Sequence, residues 1–414
     1  MLKATQNQKD KQIAVIGGGA AGFFAAISAK IHHPKASVSL FEKTSKVLAK
    51  VKVSGGGRCN VTNGNHDVNS LVDAYPRGGK QLKNIFYNFS TQDTFNWFES
   101  RGVALKTEAD GRVFPISNSS QTIIDCLLSE TEKLGISIHY NKGVNKLYKK
   151  GEGWEISLNN TQPTISFDSV IIATGGNPKE KGFEWLKNLD HEIQSPVPSL
   201  FTFNIPKEPI TQLMGLAVES VQLKIKGEGI LTKGPLLITH WGFSGPAVLV
   251  ASSRGARNLA ALNYQFEIEV NWLQEQNTAL LFDELQEVIK LYPQKTIYKQ
   301  KGFKLPQRLW HFLIEKAGIP KDKRWNELGK KKTRQLVELL THDSYSISGK
   351  TTFKEEFVTC GGVDLKSINL KTLQSKTAKG LYFAGEVLDI DAVTGGYNFQ
   401  AAWSTGFIAG KLGA

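Results

Sequence analysis

Three glycines near the amino terminus restrict the fold more than any other feature of the sequence. Gly17, Gly19 and Gly22 stand at the spacing G-x-G-x-x-G, directly after the apolar, β-branched run 12–16 (QIAVI). Residues 20–30 have the pattern of a helix, and a second apolar run follows at 37–41 (SVSLF). Strand, glycine turn, helix and strand in this order predict the beginning of a parallel, doubly wound α/β sheet.

This turn has the chemistry of a dinucleotide site. The first glycine permits the tight bend, the second lets the backbone approach a pyrophosphate, and the third lets helix and strand pack closely. The helix amino terminus adds unpaired N–H groups and the positive end of its dipole. Glu42 lies twenty residues after Gly22, at the end of the second predicted strand, where its carboxylate can accept hydrogen bonds from ribose hydroxyls. The fingerprint alone does not separate NAD from FAD.

The rest of the chain changes character twice. Between 137 and 176, apolar and polar residues alternate in pieces that predict a small antiparallel meander returning to the parallel sheet. From about Ser195 the segments become strand-like, and from about Thr278 to Thr341 the pattern is helical and rich in Lys, Glu and Leu. Glycine-rich, apolar sequence returns near the carboxyl end. We therefore predict a discontinuous dinucleotide-binding domain of residues 1–195 and 345–414, a β-rich insert at 196–275 and a helical insert at 276–344.

Three later segments favour FAD over NAD. Residues 170–176 (VIIATGG) and 380–386 (GLYFAGE) are junctions from strand to glycine turn and resemble the later FAD-contacting elements of two-part flavoproteins. In those proteins an acidic residue after the second junction holds the ribitol, and Glu386 is placed for that role. Residues 394–402 (TGGYNFQAA) predict a glycine turn that opens a helix. A helix amino terminus near the flavin stabilises the negative charge of the reduced ring.

The most distinctive segment is 52–63 (KVSGGGRCNVTN). Its consecutive glycines leave backbone N–H groups free to face phosphate or flavin, Arg58 can offset negative charge, and Asn60 offers neutral hydrogen bonds. GGGAAG, FEK, GGGRCNVTN, GRVFP, ATGG, TH-x-G-x-SGP, CGGV and GLYFAGEVLDI-x-x-x-x-GGYN-x-Q-A follow one another over nearly the whole chain. In these motifs the sequence resembles the bacterial family of FAD flavoproteins that includes aminoacetone oxidase-like and BaiN-type (YhiN-like) proteins.

The resemblance implies an α/β fold with a discontinuous Rossmann-like FAD-binding domain, an inserted β-rich, barrel-like domain and a small helical domain. It also implies tightly bound, non-covalent FAD. Matched motif by motif, the implied FAD contacts are Gly17, Gly19, Ala21, Gly22, Glu42, Lys43, Arg58, Asn60, Gly175, Glu386, Asn398 and Phe399, with the backbone of Val144 against adenine.

Three side chains are candidates for catalysis, each with a structural alternative. His240, in the family's TH-x-G-x-SGP motif, could act as a neutral-pH acid or base, or could fix a domain junction. Arg112 could bind a substrate carboxylate in bidentate fashion, or could lie in a surface loop. Tyr397 could donate a proton beside the flavin, or could serve packing. For Cys59 we favour a packing role over redox chemistry, because no second cysteine is near in the sequence to resolve a disulfide.

Composition limits the remaining classes. The three cysteines form no CxxC pair, so neither a zinc site nor a dithiol centre is predicted and no metal is expected. No apolar segment has the length of a membrane span, and we expect a cytoplasmic protein. The formal net charge of +13 owes much to residues 290–334. We interpret that region as a solvated face rather than as a nucleic-acid contact, with a contact to a polyanion as the alternative.

The sequence thus predicts an FAD-dependent oxidoreductase that transfers hydride between flavin and a small organic substrate. NAD(P)H-driven reduction of an enone-type acceptor is one form of this activity, and an oxygen-using amine oxidase acting on an aminoacetone-like substrate is an alternative. Because one nucleotide fingerprint is present, NAD(P)H would have to visit the flavin transiently. An FAD-dependent RNA-modifying or RNA-binding protein is the alternative of another class.

Overall fold

The computed structural model describes residues 10–159, 163–274, 277–352 and 358–414. The chain forms two compact units, the first running to Ser199 and resuming from residue 354, the second comprising 200–353. Each unit has its own hydrophobic core.

The first unit is organised around a seven-stranded sheet. Its strands are, in spatial order, Ile368–Asn369, Gln374–Ser375, Leu381–Phe383, Ser169–Ile172, Gln12–Ile16, Ser37–Phe41 and Ser137–His139. The five strands from Leu381–Phe383 to Ser137–His139 pair in parallel, and the first two are antiparallel. Gln12–Ile16 is buried at four of its five positions, as expected for a central strand covered on both faces. The predicted doubly wound α/β start is confirmed.

Smaller sheets complete the first unit. The strands are Thr62–Asn63, Arg112–Pro115 and Leu105–Thr107 in one sheet, Val144–Lys150, Gly153–Leu158 and Ile165–Phe167 in another, and Ile193–Pro198 with Thr359–Val363 in a third. The helices are Ala20–His32, Ala49–Gly57, Val68–Leu71, Gly79–Asn88, Thr91–Glu99, Ser120–Lys133, Glu184–Lys187 and Tyr397–Gly410. We expected residues 137–139 in the antiparallel meander. They instead form the parallel edge strand beside Ser37–Phe41, since three residues are too few for alternation to reveal their pairing.

The helices Ala20–His32 and Tyr397–Gly410 pack closely because glycines face their contact. A Cβ atom at Gly406 would lie 2.6 Å from the carbonyl oxygen of Ala21, and one at Gly410 would lie 2.5 Å from the Cβ of Ser28. The last helix of the chain is therefore held against the helix that follows the fingerprint glycines.

The second unit contains a seven-stranded antiparallel sheet and several helices. Its strands are, in spatial order, Asp343–Ser348, Gln265–Asn271, Ala217–Ile225, Ile230–Ile238, Gly242–Ser244, Thr202–Asn204 and Lys350–Thr351. Its helices are Pro246–Arg254, Ala256–Ala261, Thr278–Leu291, Gln307–Lys316 and Lys330–Thr341. Residues 345–351, which we expected in the cofactor domain, pair within this sheet, because the strand Asp343–Ser348 follows the helical segment directly. The division of the insert into a β-rich and a helical domain stays a prediction.

Candidate functional site

The fingerprint turn has the backbone geometry that a bound pyrophosphate needs. Gly17 has φ +114°, and a Cβ there would lie 2.3 Å from the carbonyl oxygen of Ala173. A Cβ at Gly22 would lie 1.9 Å from the carbonyl oxygen of Gly17, so the turn closes only with glycine at both positions. A Cβ at Gly19 would meet nothing within 4 Å. The turn thus leaves open space beside Gly19, at the amino terminus of a helix that has neither a side-chain cap nor an acidic residue in its first turn.

Glu42 is joined to this turn by a direct hydrogen bond. Its Oε2 accepts from the backbone N–H of Gly18 at 2.9 Å, and its Oε1 accepts from the backbone N–H of Thr44 at 2.9 Å. The backbone oxygen of Glu42 accepts from the N–H of Lys142 at 2.8 Å. This hydrogen bond places the segment before Val144 next to Glu42. The side chain of Lys43 is exposed next to Glu42. A carboxylate so held retains lone pairs for ribose hydroxyls, and the arrangement fits the adenosine and pyrophosphate half of FAD.

The triple-glycine segment adopts a conformation that other residues rarely take. Gly55, Gly56 and Gly57 have φ of +58°, +68° and +84°, and a Cβ at Gly56 or Gly57 would meet nothing within 4 Å. The segment therefore presents bare backbone to open space.

Arg58, which follows the glycines, is already engaged within the protein. Its Nη1 forms an ion pair with Glu108 at 2.7 Å, and its guanidinium lies 3.9 Å from the centroid of the Phe114 ring. Glu108 was missed by the sequence analysis, since nothing local links it to a residue fifty positions earlier. The side chain of Asn60 accepts a hydrogen bond from the backbone N–H of Val113 at 3.3 Å.

The second strand-to-glycine junction carries an ion pair. In the first junction, Gly175 has φ +74° and open space where a Cβ would stand. Glu386 accepts a hydrogen bond from the backbone N–H of Thr359 at 2.8 Å through Oε1, and its Oε2 pairs with Lys50 Nζ at 2.7 Å. Lys50, 336 residues from its partner, was also missed by the sequence analysis. The pair holds the carboxylate in a fixed orientation.

The turn before the last helix packs on the short strand Thr62–Asn63, which follows the triple glycines. A Cβ at Gly396, which has φ +90°, would lie 2.2 Å from the carbonyl oxygen of Thr62. Asn63 Nδ2 donates to the carbonyl oxygen of Gly395 at 3.0 Å. Ala21 lies at the same end of the sheet, since a Cβ at Gly385 would come within 2.7 Å of its methyl group. The fingerprint turn and both later junctions therefore lie at the carboxyl ends of the parallel strands, where such sheets bind ligands, and the Lys50–Glu386 pair ties the segment before the triple glycines to the second junction.

The first residues of the last helix have three different roles. The side chain of Asn398 binds the preceding loop through two hydrogen bonds. It accepts from the N–H of Ala392 at 2.9 Å and donates to the carbonyl oxygen of Ala392 at 3.0 Å. Phe399 stacks on Trp403 with ring centroids 5.6 Å apart. Burial raises the pKa of the half-buried Tyr397 phenol, which keeps it protonated at neutral pH. Tyr397 is the first residue of this helix, directly after the turn at Gly395 and Gly396.

A buried ion pair anchors the loop that leads to this helix. Arg77 Nε donates to Asp391 Oδ1 at 2.6 Å, and the second carboxylate oxygen accepts from Arg77 Nη2 and from the hydroxyl of Ser199. Asp391 is fully buried. Removing one partner of such a pair leaves an uncompensated buried charge, so the pair fixes the loop's position.

The other candidate residues are placed differently from one another. Arg112 pairs with Asp110 at 2.7 Å and with Glu108 at 3.3 Å, so its guanidinium shares Glu108 with Arg58. His240 belongs to the second unit, where its exposed ring packs edge-on against Trp241 with centroids 4.0 Å apart. Tyr397 and Arg112 belong to the first unit.

Cys59 has the environment of a packing residue. It is fully buried, with φ +61°, and burial raises the pKa of its thiol to about 12. Such a thiol is protonated and unreactive at neutral pH. Among the residues that the structure describes, no group of His, Cys, Asp and Glu could hold a metal ion. Within the same residues, no helix is both long enough and apolar enough to cross a membrane.

Comparison with known proteins identifies relatives along the whole chain. A family model described as the HI0933-like protein Rossmann domain matches residues 11–412. A 3-dehydro-bile acid delta(4,6)-reductase of Clostridium scindens is 26% identical over 97% of this chain and 99% of its own length. A ribosomal RNA dihydrouridine synthase of Escherichia coli is 29% identical over 94% and 95%, and one of Haemophilus influenzae is 28% identical over 95% and 96%.

Solved flavoenzyme structures share the fold. A flavocytochrome c3 fumarate reductase aligns with a TM-score of 0.50 and 17% identity over 98% of this chain and 78% of its own. A 3-ketosteroid delta1-dehydrogenase from Sterolibacterium denitrificans aligns with a TM-score of 0.50 and 11% identity over 97% and 99%. At these identities the likeness concerns the fold alone.

Proposed function

The chain belongs to the HI0933-like family, and from this premise we propose that it is an FAD-dependent oxidoreductase in which NAD(P)H reduces a carbon–carbon double bond conjugated to a carbonyl. The observation that carries the proposal is the fingerprint turn, with open space beside Gly19 and the Glu42 carboxylate fixed to the same turn at 2.9 Å. Family membership also confirms the resemblance drawn from the motifs.

The names of the relatives support this reaction class. A delta(4,6)-reductase of a 3-dehydro-bile acid acts on double bonds conjugated to a ketone, and a dihydrouridine synthase reduces the uracil C5–C6 bond, which is conjugated to the C4 carbonyl. Conjugate reduction of a single enone bond adds a hydride to the carbon far from the carbonyl and a proton to the carbon beside it. We propose the same chemistry here.

The residues of the first unit divide this work. Bound FAD would supply the hydride, having been reduced by NAD(P)H. The turn at Gly17–Gly22 and the carboxylate of Glu42 would hold the dinucleotide. Glu386, fixed by Lys50, would accept hydrogen bonds from the ribitol. Tyr397 would give its phenolic proton to the substrate carbon beside the carbonyl, because it is the first residue of the helix that follows the turn at Gly395 and Gly396.

Two substrate classes follow from the relatives. A small enone is the first. A uridine within RNA is the second, and the net charge of +13 favours it because RNA is a polyanion.

The first test uses the purified holoenzyme without oxygen. Adding NADPH or NADH should bleach the flavin band, and adding a steroid-like enone or a uridine-containing RNA should restore it. Bleaching by aminoacetone instead, with no response to nicotinamide, would replace the proposal with an amine oxidase. A protein that binds no FAD would overturn the proposal entirely.

The role of Tyr397 is tested by separating the two half-reactions. We expect Tyr397→Phe to leave the rate of flavin reduction by NADPH unchanged and to slow reoxidation by the enone on the order of a hundredfold. Tyr87→Phe, at an exposed tyrosine of the same unit, is the matched control. Equal rates of reoxidation in both variants would remove Tyr397 from the chemistry.

A further inference from the structure

The basic residues of the chain are concentrated in one stretch of the second unit. Residues 290–334 contain fourteen lysines and arginines against three acidic residues, a net charge of +11 out of +13 for the whole protein. The remaining 369 residues therefore carry only +2. A surface that serves solubility alone intersperses both signs of charge.

Most of these cations are not neutralised within the protein. Four of the fourteen form ion pairs with acidic side chains, namely Lys290, Lys316, Lys321 and Lys323. The other ten have no acidic partner among the residues that the structure describes. Eight of those ten are exposed, namely Lys295, Lys299, Lys304, Arg308, Arg324, Lys330, Lys331 and Arg334.

Hydrogen bonds connect the segments that carry these charges to one another. The loop 294–301 pairs with residues 323–325 through backbone hydrogen bonds. The N–H of Ile297 donates to the carbonyl oxygen of Lys323 at 3.0 Å, and the N–H of Trp325 donates to the carbonyl oxygen of Lys295 at 3.1 Å. Trp310 Nε1 donates to the carbonyl oxygen of Ile297 at 2.8 Å, which attaches the helix Gln307–Lys316 to this loop. Lys332 Nζ donates to the carbonyl oxygen of Ala317 at 2.8 Å and attaches the first turn of the helix Lys330–Thr341.

The charges in the first turn of the helix Lys330–Thr341 destabilise it. Lys330, Lys331 and Lys332 begin the helix, and no acidic residue lies in the turn. Cations near a helix amino terminus oppose the dipole, which costs a few tenths of a kcal/mol to about 1 kcal/mol each. A polyanion bound across this surface would reverse that cost.

We propose that residues 290–334 form a docking surface for the phosphate backbone of RNA, and we call it the basic surface. The inference rests on the RNA form of the proposed function, which it deepens by assigning substrate binding to the second unit. RNA is favoured over an anionic membrane because the exposed cations are distributed over loops and two helices instead of lying along one amphipathic helix. Helix Gln307–Lys316 buries its apolar residues Leu309, Trp310, Leu313 and Ile314 in the core of the unit.

The test compares two variants that lose the same charge. In the first, Lys295, Lys299, Lys330 and Lys331 of the basic surface are all changed to Gln. In the matched control, four exposed lysines of the first unit, which form no ion pair with any described residue, are changed to Gln, namely Lys35, Lys80, Lys181 and Lys371. Binding of the holoenzyme to a fluorescently labelled uridine-containing RNA stem-loop is measured by anisotropy at several salt concentrations.

We expect the basic-surface variant to bind RNA more weakly by on the order of tenfold to a hundredfold at 0.15 M salt. The slope of log affinity against log salt concentration should be smaller in magnitude than that of the wild type by about 3 to 4. The control should keep the slope of the wild type. Equal losses in both variants would mean that only the overall charge matters, and absence of RNA binding in the wild type at low salt would also overturn the proposal.

Two further measurements separate this inference from the proposed function. Flavin reduction by NADPH and reoxidation by a small enone should be unchanged in the basic-surface variant, whose four altered residues all belong to the second unit. If the wild type binds RNA through the basic surface but its flavin does not respond to nicotinamide, the reductase proposal fails and the docking surface stands. Binding to phosphatidylserine vesicles that depends on the same four lysines, without RNA binding, would overturn the RNA assignment.

Discussion

At the scale of single residues, the fingerprint glycines have separable roles that two variants distinguish. Gly22→Ala places a methyl group 1.9 Å from a backbone oxygen, whereas Gly19→Ala places one in open space at φ −94°. We expect Gly22→Ala to destabilise the apoprotein by 1–3 kcal/mol or more, as overpacking does. Gly19→Ala should leave its stability within about 0.5 kcal/mol but weaken FAD binding on the order of tenfold. Urea unfolding and FAD titration measure both, and full FAD affinity in Gly19→Ala would exclude a pyrophosphate at that glycine.

The buried thiol of Cys59 predicts a specific pH dependence of stability. Its pKa is raised by burial from 9.0 to about 12, so its contribution is complete below pH 9 and is lost as the pH rises towards 12. Between pH 8 and pH 10 the free energy of unfolding of the wild type should fall by about 1.4 kcal/mol more than that of Cys59→Ala. Urea titrations at both pH values measure this difference. If both proteins lose the same amount, the native thiol ionises as readily as an unfolded one.

At the scale of elements, the contact between the fingerprint helix and the last helix depends on glycine. Gly406→Ala adds a methyl group 2.6 Å from the carbonyl oxygen of Ala21 and should destabilise the protein by about 1–3 kcal/mol. Gly329→Ala makes the same chemical change at φ −61° with nothing within 4 Å, and serves as the control. Thermal unfolding of the two variants is compared. A Gly406→Ala protein as stable as the control would show that the two helices separate without cost.

The same elements show what local sequence could predict. The sequence predicted the strands Gln12–Ile16 and Ser37–Phe41 at their observed bounds. This was possible because an apolar, β-branched run beside a glycine turn is a local signal for a strand. The partners of Arg58 and Glu386 were not found, because Glu108 and Lys50 reach them only through the tertiary fold. Ser137–His139 was assigned to the wrong kind of sheet, since neighbours in the sheet and not its own three residues determine its pairing. The roles of the predicted FAD and catalytic residues stay predictions.

At the scale of the whole molecule, the proposed FAD site and most of the net charge belong to different units. The residues proposed to hold FAD all belong to the unit with the first core, and the basic surface belongs to the unit with the second. A separate core is the physical basis of a separate cooperative unit. A ligand that binds one native unit stabilises that unit by mass action.

FAD should therefore act unequally on the two units. At free FAD one hundred times its dissociation constant, the first unit should gain about 2.7 kcal/mol against local unfolding. Hydrogen exchange followed by mass spectrometry should show slower exchange in peptides of 12–41, 169–176 and 381–410 when FAD is added. Peptides of 202–271 and 307–348 should exchange at the rate of the apoprotein. Equal slowing in both sets would mean that the two cores unfold as one cooperative unit, in which case a variant in the basic surface would also change the apparent affinity for FAD.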